Sequence, residues 1–411
     1  MKQLSKIMLA AVASVALAAP AFAWDFSASG SASSALNITN TQANKDADVV
    51  TSGGFSSDVG AITLTSSNTD GANTSTLSYS VDWSDGGIDE TVALSGSRTV
   101  GEWTGSAGGS YNIASEYGCS QTSDNASVAL AAAGQTKCAA SKAGADSAAI
   151  VLTNGTMTIT MGDASHLSSQ NVGSGSNAAG AVGFGGDDDA IGARVGSYEG
   201  VSLGYALSDT MSVTVAYQSS GVIDDACGGI VNQDDEVAAA HAISGTGFGF
   251  SGTFGTIGVG ATICNAATDS KVSSVSTSTA TSTMGVGVSM DFGDIDPWIT
   301  FGTYSAVGSE SKTGIAEVGT DIGLTYALGT DTVVFSMTSV TGIDTDDAGT
   351  AGQAKVASGM ELGYTTAIGP VGLAIGYGST TRNQTGGAGT DIRASEGYSR
   401  TDIEIEMSVS F

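Results

Sequence analysis

Short stretches in which apolar and polar residues alternate recur along most of this chain. In one of them Val201, Leu203 and Tyr205 share one face, and after a turn at residues 208–210 the pattern resumes from Met211. Successive side chains of a β-strand point to opposite faces, so alternation with a period of two predicts strands that are apolar on one side and polar on the other. The alternation therefore predicts an all-β fold.

The final stretch shows this alternation most clearly. Glu404 and Glu406 occupy one face, and the chain stops with an apolar set on the other face: Ile403, Ile405, Met407, Val409 and Phe411. Carboxylates are too costly to bury in lipid, so their face is predicted to line a wet interior. Asp82 follows the same polar phase in an earlier stretch. We interpret these three carboxylates as charges of a lumen.

The connections between the stretches alternate in length. Short turns are predicted at 208–210, 254–256, 329–330 and 368–369, and long polar loops at 219–236, 264–282, 341–354 and 378–398. This asymmetry is typical of a transmembrane, antiparallel, up-and-down β-barrel. Eleven strands are predicted from residue 201 onward, and seven before residue 163, of which two are weak (around 55–66 and 75–83). We expect about 16 strands, or 18 if the weak pair is real.

The chain begins with a predicted signal peptide, residues 1–23. Lys2 and Lys6 precede an apolar stretch at 7–19, and Ala21 and Ala23 are the small residues of a cleavage site. The apolar stretch is shorter than the ~20 residues that a membrane-spanning helix needs. The domain from 24 to 411 is therefore expected to be exported and to form the barrel.

The chain contains few charged residues, and most of them are acidic. Charged residues make up 13%, with 13 Lys and Arg against 41 Asp and Glu, where a soluble protein averages about 25%. Cleavage would remove two lysines and change the formal net charge from −28 to −30. Such a field repels nucleic acid and enriches cations near an opening. Solubility or a salty habitat explains the acidity equally well.

Four cysteines in an exported chain permit disulfides. Cys119, Cys138, Cys227 and Cys264 allow three pairings. We favour Cys119–Cys138, which would close one loop, and Cys227–Cys264, which would join two neighbouring loops.

Two features resemble Gram-negative general porins of the alphaproteobacterial type. The alternating final strand that ends in Phe411 is similar to the assembly signal of outer-membrane barrels, and residues 152–164 (LTNGTMTITMGDA) resemble the stretch before the inward-folded third loop of such porins. The Pro-Glu-Phe-Gly motif of enteric porins is absent. The resemblance implies a homotrimer in the bacterial outer membrane, in contact with lipid and lipopolysaccharide, and inserted by the barrel-assembly machinery.

The same resemblance implies a pore-constricting loop at about 163–196. Its charged residues would narrow the lumen, with acidic groups in excess over a single arginine: Asp163, His166, Asp187, Asp188, Asp189 and Arg194. Charges in a narrow pore set its ion selectivity, so we expect a preference for cations. The alternative is that these aspartates lie in a solvated external loop.

Other chemistry receives weaker support from the sequence. Asp187, Asp188 and Asp189 could bind Ca²⁺, although three adjacent residues rarely reach one ion, so no cofactor is expected. Ser202 fits a nucleophile-elbow pattern but lies within an alternating strand, and only His166 and His241 could act as its base. We therefore expect no enzyme.

The predicted function is a porin that passes small hydrophilic solutes and ions by passive diffusion, with a preference for cations. A substrate-specific outer-membrane channel and a structural or adhesive cell-surface protein are the alternatives. A specific channel would be expected to carry aromatic residues along the lumen phase. A surface protein has no need of a terminal Phe strand or of alternating turn lengths.

Overall fold

The computed structural model describes residues 25–58, 61–82, 89–113, 144–164, 166–167, 198–222, 241–272, 275–308, 314–344, 353–384 and 397–411. Within these residues the chain forms nineteen strands. Their bounds are β1 (Asp25–Gln42), β2 (Val50–Asp58), β3 (Ala61–Asp70), β4 (Asn73–Asp82), β5 (Asp89–Val100), β6 (Trp103–Ile113), β7 (Gly144–Thr153), β8 (Met157–Ala164), β9 (Tyr198–Ser208), β10 (Met211–Val222), β11 (His241–Phe254), β12 (Ile257–Val272), β13 (Val275–Met290), β14 (Ile295–Gly308), β15 (Gly314–Leu328), β16 (Asp331–Asp344), β17 (Gln353–Ile368), β18 (Val371–Gln384) and β19 (Tyr398–Ser410). Among the described residues, no helix is long and apolar enough to cross a membrane.

The chain divides into two compact units. The first consists of Met1–Ser33, Ser57–Asn154 and Val409–Phe411. In this unit β3 to β7 form an antiparallel meander, in which each strand pairs with the next. The start of β1 pairs with β3, and the backbone of Gly30 exchanges two hydrogen bonds of 2.8 and 2.9 Å with Phe411. The chain terminus is thus bonded to the first strand.

The second unit consists of Ser34–Ser56 and Gly155–Ser408. It contains an unbroken antiparallel meander from β8 to β19, in which every strand pairs with its successor. Strands β11 to β18 are 14 to 16 residues long. Side-chain hydrogen bonds from Asn37, Thr39 and Asn40 to β19 continue this ladder into the second half of β1.

Strand β1 has three partners, β2, β3 and β19. Strand β3 lies beside its first half and β2 beside its second half, where Thr51 donates a 2.7 Å hydrogen bond to Asn40. Strands β2 and β3 therefore share one position, and the described residues form eighteen strand positions. The last strand also pairs with the first, and consecutive strands pair antiparallel, which is an up-and-down connectivity.

One of the two strand counts predicted from the sequence is confirmed, and one loop prediction needs correction. The strand count is eighteen and not sixteen, because both weak stretches are strands. The long loop predicted at 264–282 is wrong, since β12 and β13 pair continuously up to Val272 and Val275. This region is rich in Ser, Thr and Ala, so it loses the apolar alternation while its backbone pairing continues. The eleven strands predicted from residue 201 onward are present as β9 to β19.

Candidate functional site

The strands of the second unit carry one apolar face, which is exposed. Its members are large and recur at every second position: Leu203, Tyr205, Val215, Tyr217, Phe248, Ile263, Val286, Ile299, Phe301, Ile322, Met337, Leu362, Ile375, Ile403, Ile405 and Met407. A soluble protein would cover an apolar surface of this extent. We call this surface the apolar face.

The opposite face of the same strands is polar and buried. It consists of small hydroxyl and amide side chains with a few carboxylates: Ser202, Thr214, Gln218, Thr262, Thr283, Thr300, Asp321, Ser336, Thr338, Thr380, Asp402 and Glu404. We call this surface the polar face. Its burial reverses the usual arrangement, in which apolar residues are buried and polar residues are exposed.

The first unit has the same two faces but is more open. Leu77, Leu94 and Ile150 are exposed on its apolar face. Its polar face carries Thr74, Thr76, Ser95, Ser97 and Ser106, which line a cavity of about 400 Å³ together with Gly96, Ala107, Gly108, Ala149 and Val151. Thr74 and Ser97 form a 2.6 Å hydroxyl–hydroxyl hydrogen bond across β4 and β5. This polar face is neutral at these positions.

Two residues that follow β8 lie on the polar face of the second unit. His166 bonds to the Gly162 carbonyl through Nε2 at 3.1 Å and to the Ser202 hydroxyl through Nδ1 at 2.9 Å. Because a carbonyl only accepts, Nε2 donates, and in the neutral ring Nδ1 accepts from Ser202. Leu167 is fully buried, and a Cβ placed on Gly247 would lie 2.5 Å from its Cδ1. The chain therefore turns onto the polar face directly after β8.

Negative charge collects on the polar face of the strands near the end of the chain. Asp402 and Glu404 are buried on β19, and Glu406 follows on the same face. Arg400 binds Asp402 with two contacts, Nε to Oδ2 at 2.8 Å and a terminal guanidinium nitrogen to Oδ1 at 3.1 Å. Asp402 also accepts a hydrogen bond from Thr39, and Glu404 accepts one from Asn37 at 3.5 Å. The guanidinium is thus engaged with one of these three carboxylates.

A further carboxylate lies on β15. Asp321 has no exposed surface, and its Oδ2 accepts a 2.8 Å hydrogen bond from the indole Nε1 of Trp298. Trp298 is opposite Gly323, where an added Cβ would collide with the indole ring. The glycine is required here because it gives the ring the space to reach Asp321.

The predicted constriction residues lie on different faces of the strands or outside the described residues. Asp163 is the seventh residue of β8 and shares the alternation phase of Met161, which is 57% exposed on the apolar face. His166 lies on the polar face, as described above. Asp187, Asp188, Asp189 and Arg194 are outside the described residues. The grouping of these aspartates with Arg194 therefore stays a prediction.

The predicted lumen charges can all be placed on strands. Asp82 is the last residue of β4, in the phase of Ser78 and Ser80. Glu404 and Glu406 lie on the polar face of β19. Phe411 is the terminal residue, and its ring lies where a Cβ on Gly30 would approach it to 2.8 Å.

One of the four cysteines is described. Cys264 is disulfide-bonded, is 2% exposed, and lies in the middle of β12 on the polar face. Its expected position in a loop is therefore corrected to a strand. Cys119, Cys138 and Cys227 lie outside the described residues, so the pairings remain predictions.

Several residues of the polar face were not predicted from the sequence, namely Trp298, Asp321, Glu361, Arg400 and Asp402. Each follows the polar phase of an alternating strand, which is the signal that could have identified it. Their partners could not have been read from the sequence, because they depend on strand register. Within the described part of the chain, no three His, Cys, Asp or Glu side chains group closely enough to hold a metal ion.

The sequence matches no protein-family model and no curated protein. Solved structures do match it in fold. The outer-membrane channel DcaP of Acinetobacter baumannii superposes with a TM-score of 0.54 at 11% identity, over 94% of this chain and 97% of that one. The fold is that of a porin-type β-barrel.

Two other structures show the same fold. OmpT of Vibrio cholerae has a TM-score of 0.51 at 12% identity, over 95% of this chain and 98% of its own. OmpF of Salmonella typhi has a TM-score of 0.51 at 12% identity, over 94% and 97%. At such low identity the likeness concerns the backbone architecture alone.

Proposed function

We propose that this chain is an outer-membrane porin, which forms a water-filled channel for passive diffusion of small hydrophilic solutes and ions. The observation that carries the proposal is the reversal of the two faces along β8 to β19. An exposed apolar face suits lipid, and a polar face with carboxylates suits a wet lumen. An up-and-down barrel with these faces needs no further element to cross a membrane.

The location and partners of the protein follow from this proposal. Residues 1–23 act as a cleaved signal peptide, and the mature chain lies in the bacterial outer membrane, in contact with lipid and lipopolysaccharide. Phe411 is recognised by the barrel-assembly machinery. The protein assembles as a homotrimer, as the resemblance to general porins implies.

The segment at about 163–196 is proposed to constrict the pore. The positions of His166 and Leu167 support this, because the chain already lies on the polar face at these residues. Asp187, Asp188 and Asp189 would then contribute carboxylates to the narrowest part of the lumen, with Arg194 as their counter-charge.

The channel is proposed to prefer cations. Asp402, Glu404 and Glu406 lie on the polar face, while Arg400 is paired with Asp402. Asp321 adds a carboxylate on β15. An excess of fixed negative charge along a narrow pore raises the local concentration of cations and lowers that of anions.

Conductance of the purified, refolded protein in planar bilayers under a KCl gradient tests the function. We expect stepwise openings in multiples of three and a reversal potential that favours K⁺. Folded protein that inserts without opening channels would contradict the porin proposal and favour a structural or adhesive surface role. Block of the current by one solute class at low concentration would favour a substrate-specific channel.

A matched pair of triple variants tests the constriction. Replacing Asp187, Asp188 and Asp189 with Asn should move the reversal potential towards zero. As a control, the turn residues Asp209, Asp291 and Asp294 are replaced with Asn, which removes the same charge from short turns. Equal shifts in both triple variants would show that net charge, and not the proposed constriction, sets selectivity.

A further inference from the structure

The carboxylate of Asp321 is half satisfied. Its Oδ2 accepts the hydrogen bond from Trp298, whereas Oδ1 has no hydrogen-bond partner among the described residues. The residues opposite Asp321 on the two neighbouring strands are Thr300 and Thr338, and neither carries a charge. Burying a polar oxygen without a hydrogen-bond partner costs free energy, so this oxygen is a candidate to bind a ligand.

A second buried oxygen without a hydrogen-bond partner among the described residues lies on the neighbouring strand β16. Ser336 is 1% exposed, and its hydroxyl has no hydrogen-bond partner within the described part of the chain. Ser336 is opposite Gly323, and Asp321 is opposite Thr338, so Asp321 and Ser336 are diagonal neighbours on the polar face. Diagonal neighbours in an antiparallel pair lie about 7–8 Å apart. The two unsatisfied oxygens belong to the two ends of this diagonal, and the indole ring of Trp298 lies beside it, over Gly323.

The chemistry of the two oxygens points to a cation as the occupant, because one of them belongs to a carboxylate. Carboxylate and hydroxyl oxygens are hard ligands, which suit hard cations. Ca²⁺ takes about 6–8 oxygen ligands, which is more than this pair provides. A monovalent cation fits the set better.

We propose that Oδ1 of Asp321 and Oγ of Ser336 bind a monovalent cation such as K⁺ or Na⁺ on the polar face. The Trp298 indole holds the other carboxylate oxygen and so fixes the direction in which Oδ1 points. This site rests on the proposed function, since its cation arrives from the water of the lumen. It gives the channel a saturable cation site whose ligands are strand residues.

Trp298 provides a direct readout of occupancy. Its indole is bonded to the carboxylate that would bind the ion, so we expect binding to change its fluorescence. The refolded protein is titrated with KCl at constant ionic strength, with choline chloride as the replacement salt. We expect a saturable change in wild type and none in Trp298→Phe, which assigns the signal to this indole.

Matched variants then test the ligands. Asp321→Asn should abolish the saturable change, and Ser336→Ala should raise the half-saturating K⁺ concentration about tenfold, the equivalent of roughly 1.4 kcal/mol. Asp291→Asn is the control, because it removes the same charge from the turn between β13 and β14, where Asp291 accepts a hydrogen bond from the backbone of Gly293. A wild-type titration without saturation, or an unchanged response in Asp321→Asn, would overturn the proposal.

Bilayer recordings on the same samples separate this proposal from the proposed function. Channels in wild type without any fluorescence response would refute the cation site and leave the porin intact. A response that depends on Asp321 in a protein that opens no channels would support the site and refute the porin.

Discussion

The polar faces of the two units obey the same alternation but differ in how they are occupied. In the second unit the polar face is buried and carries carboxylates, and every buried side chain in the described part of the protein belongs to this unit. In the first unit the polar face is lined by hydroxyl groups and borders an open cavity of about 400 Å³. Period-two alternation therefore sets which face is polar, but not how tightly that face is packed.

The difference follows from side-chain size and strand length. Strands β3 to β7 have 10 to 12 residues, whereas β11 to β18 have 14 to 16. In the second unit, large side chains pack against small residues on the polar face. Leu167 lies over Gly247 and Trp298 over Gly323, and Arg400 is opposite Thr380. In a packed wall of this kind each charge needs a specific partner, whereas in an open wall water can solvate it. The variants below test this contrast.

The largest effect is expected from Arg400→Gln. It removes the partner of Asp402, which is 2% exposed, and an unpaired buried charge costs about 3–5 kcal/mol. Urea unfolding in lipid vesicles measures the loss. Arg400→Gln combined with Asp402→Asn should recover most of it. Arg98→Gln, at an exposed position of the first unit, should change the free energy of unfolding by less than about 0.5 kcal/mol. A small effect in Arg400→Gln alone would show that water reaches Asp402.

The next effect is expected from Leu94→Arg on the apolar face of the first unit. Leu94 is 62% exposed in the middle of β5, and an arginine facing the lipid midplane costs about 2–4 kcal/mol. Ser95→Arg is the matched control, because the next residue faces the cavity on the polar side. The two unfolding free energies are compared in vesicles. Equal losses in both variants would contradict the assignment of the apolar face to lipid.

A smaller effect is expected when the same arginine enters the packed polar face. Thr262 is 2% exposed on β12, so Thr262→Arg overfills its surroundings, at a cost of about 1–3 kcal/mol. Ser95→Arg again provides the comparison, since the first unit has open space at that position. If both variants unfold at the same urea concentration, the contrast between the packed and the open wall is wrong.

The smallest effect is expected at Gly247, against which Leu167 packs. Gly247→Ala places a methyl group 2.5 Å from Cδ1 of Leu167, whereas the nearest contact at Gly204 is 3.6 Å. We expect Gly247→Ala to destabilise the protein by about 1 kcal/mol and Gly204→Ala to have less effect. Adding Leu167→Ala to Gly247→Ala should relieve the clash. Without that relief, the destabilisation would come from the backbone of β11.

Strands are predicted best from the sequence where one of their faces must be apolar to contact lipid. The stripe that begins at Val201 and Leu203 lies on the apolar face of β9, as the alternation predicts, because each of its positions must be apolar. The hairpin tip around Val272 and Val275 was missed, because its residues are polar on both faces while its backbone still pairs. Where backbone pairing is not accompanied by an alternation of apolar and polar side chains, a strand cannot be predicted from a single sequence.

The site is harder to predict than the fold, because it depends on register. Glu404 could be placed on a polar face from alternation alone. The contact between Trp298 and Asp321 spans 23 residues and requires that Trp298 be opposite Gly323. A shift of one residue would move the indole to the other face. Alternation in the sequence predicts which side chains lie on the polar face, but the strand register determines which of them are in contact.

The bond between Gly30 and Phe411 has a consequence for the timing of folding. These residues are 381 positions apart (411 − 30) and exchange two backbone hydrogen bonds. Bringing the ends of such a long flexible chain together costs about 5 kcal/mol of entropy. The first strand also lacks this partner until residue 411 has been synthesised. The pairing of Gly30 with Phe411 is therefore among the last contacts that the folding chain can form.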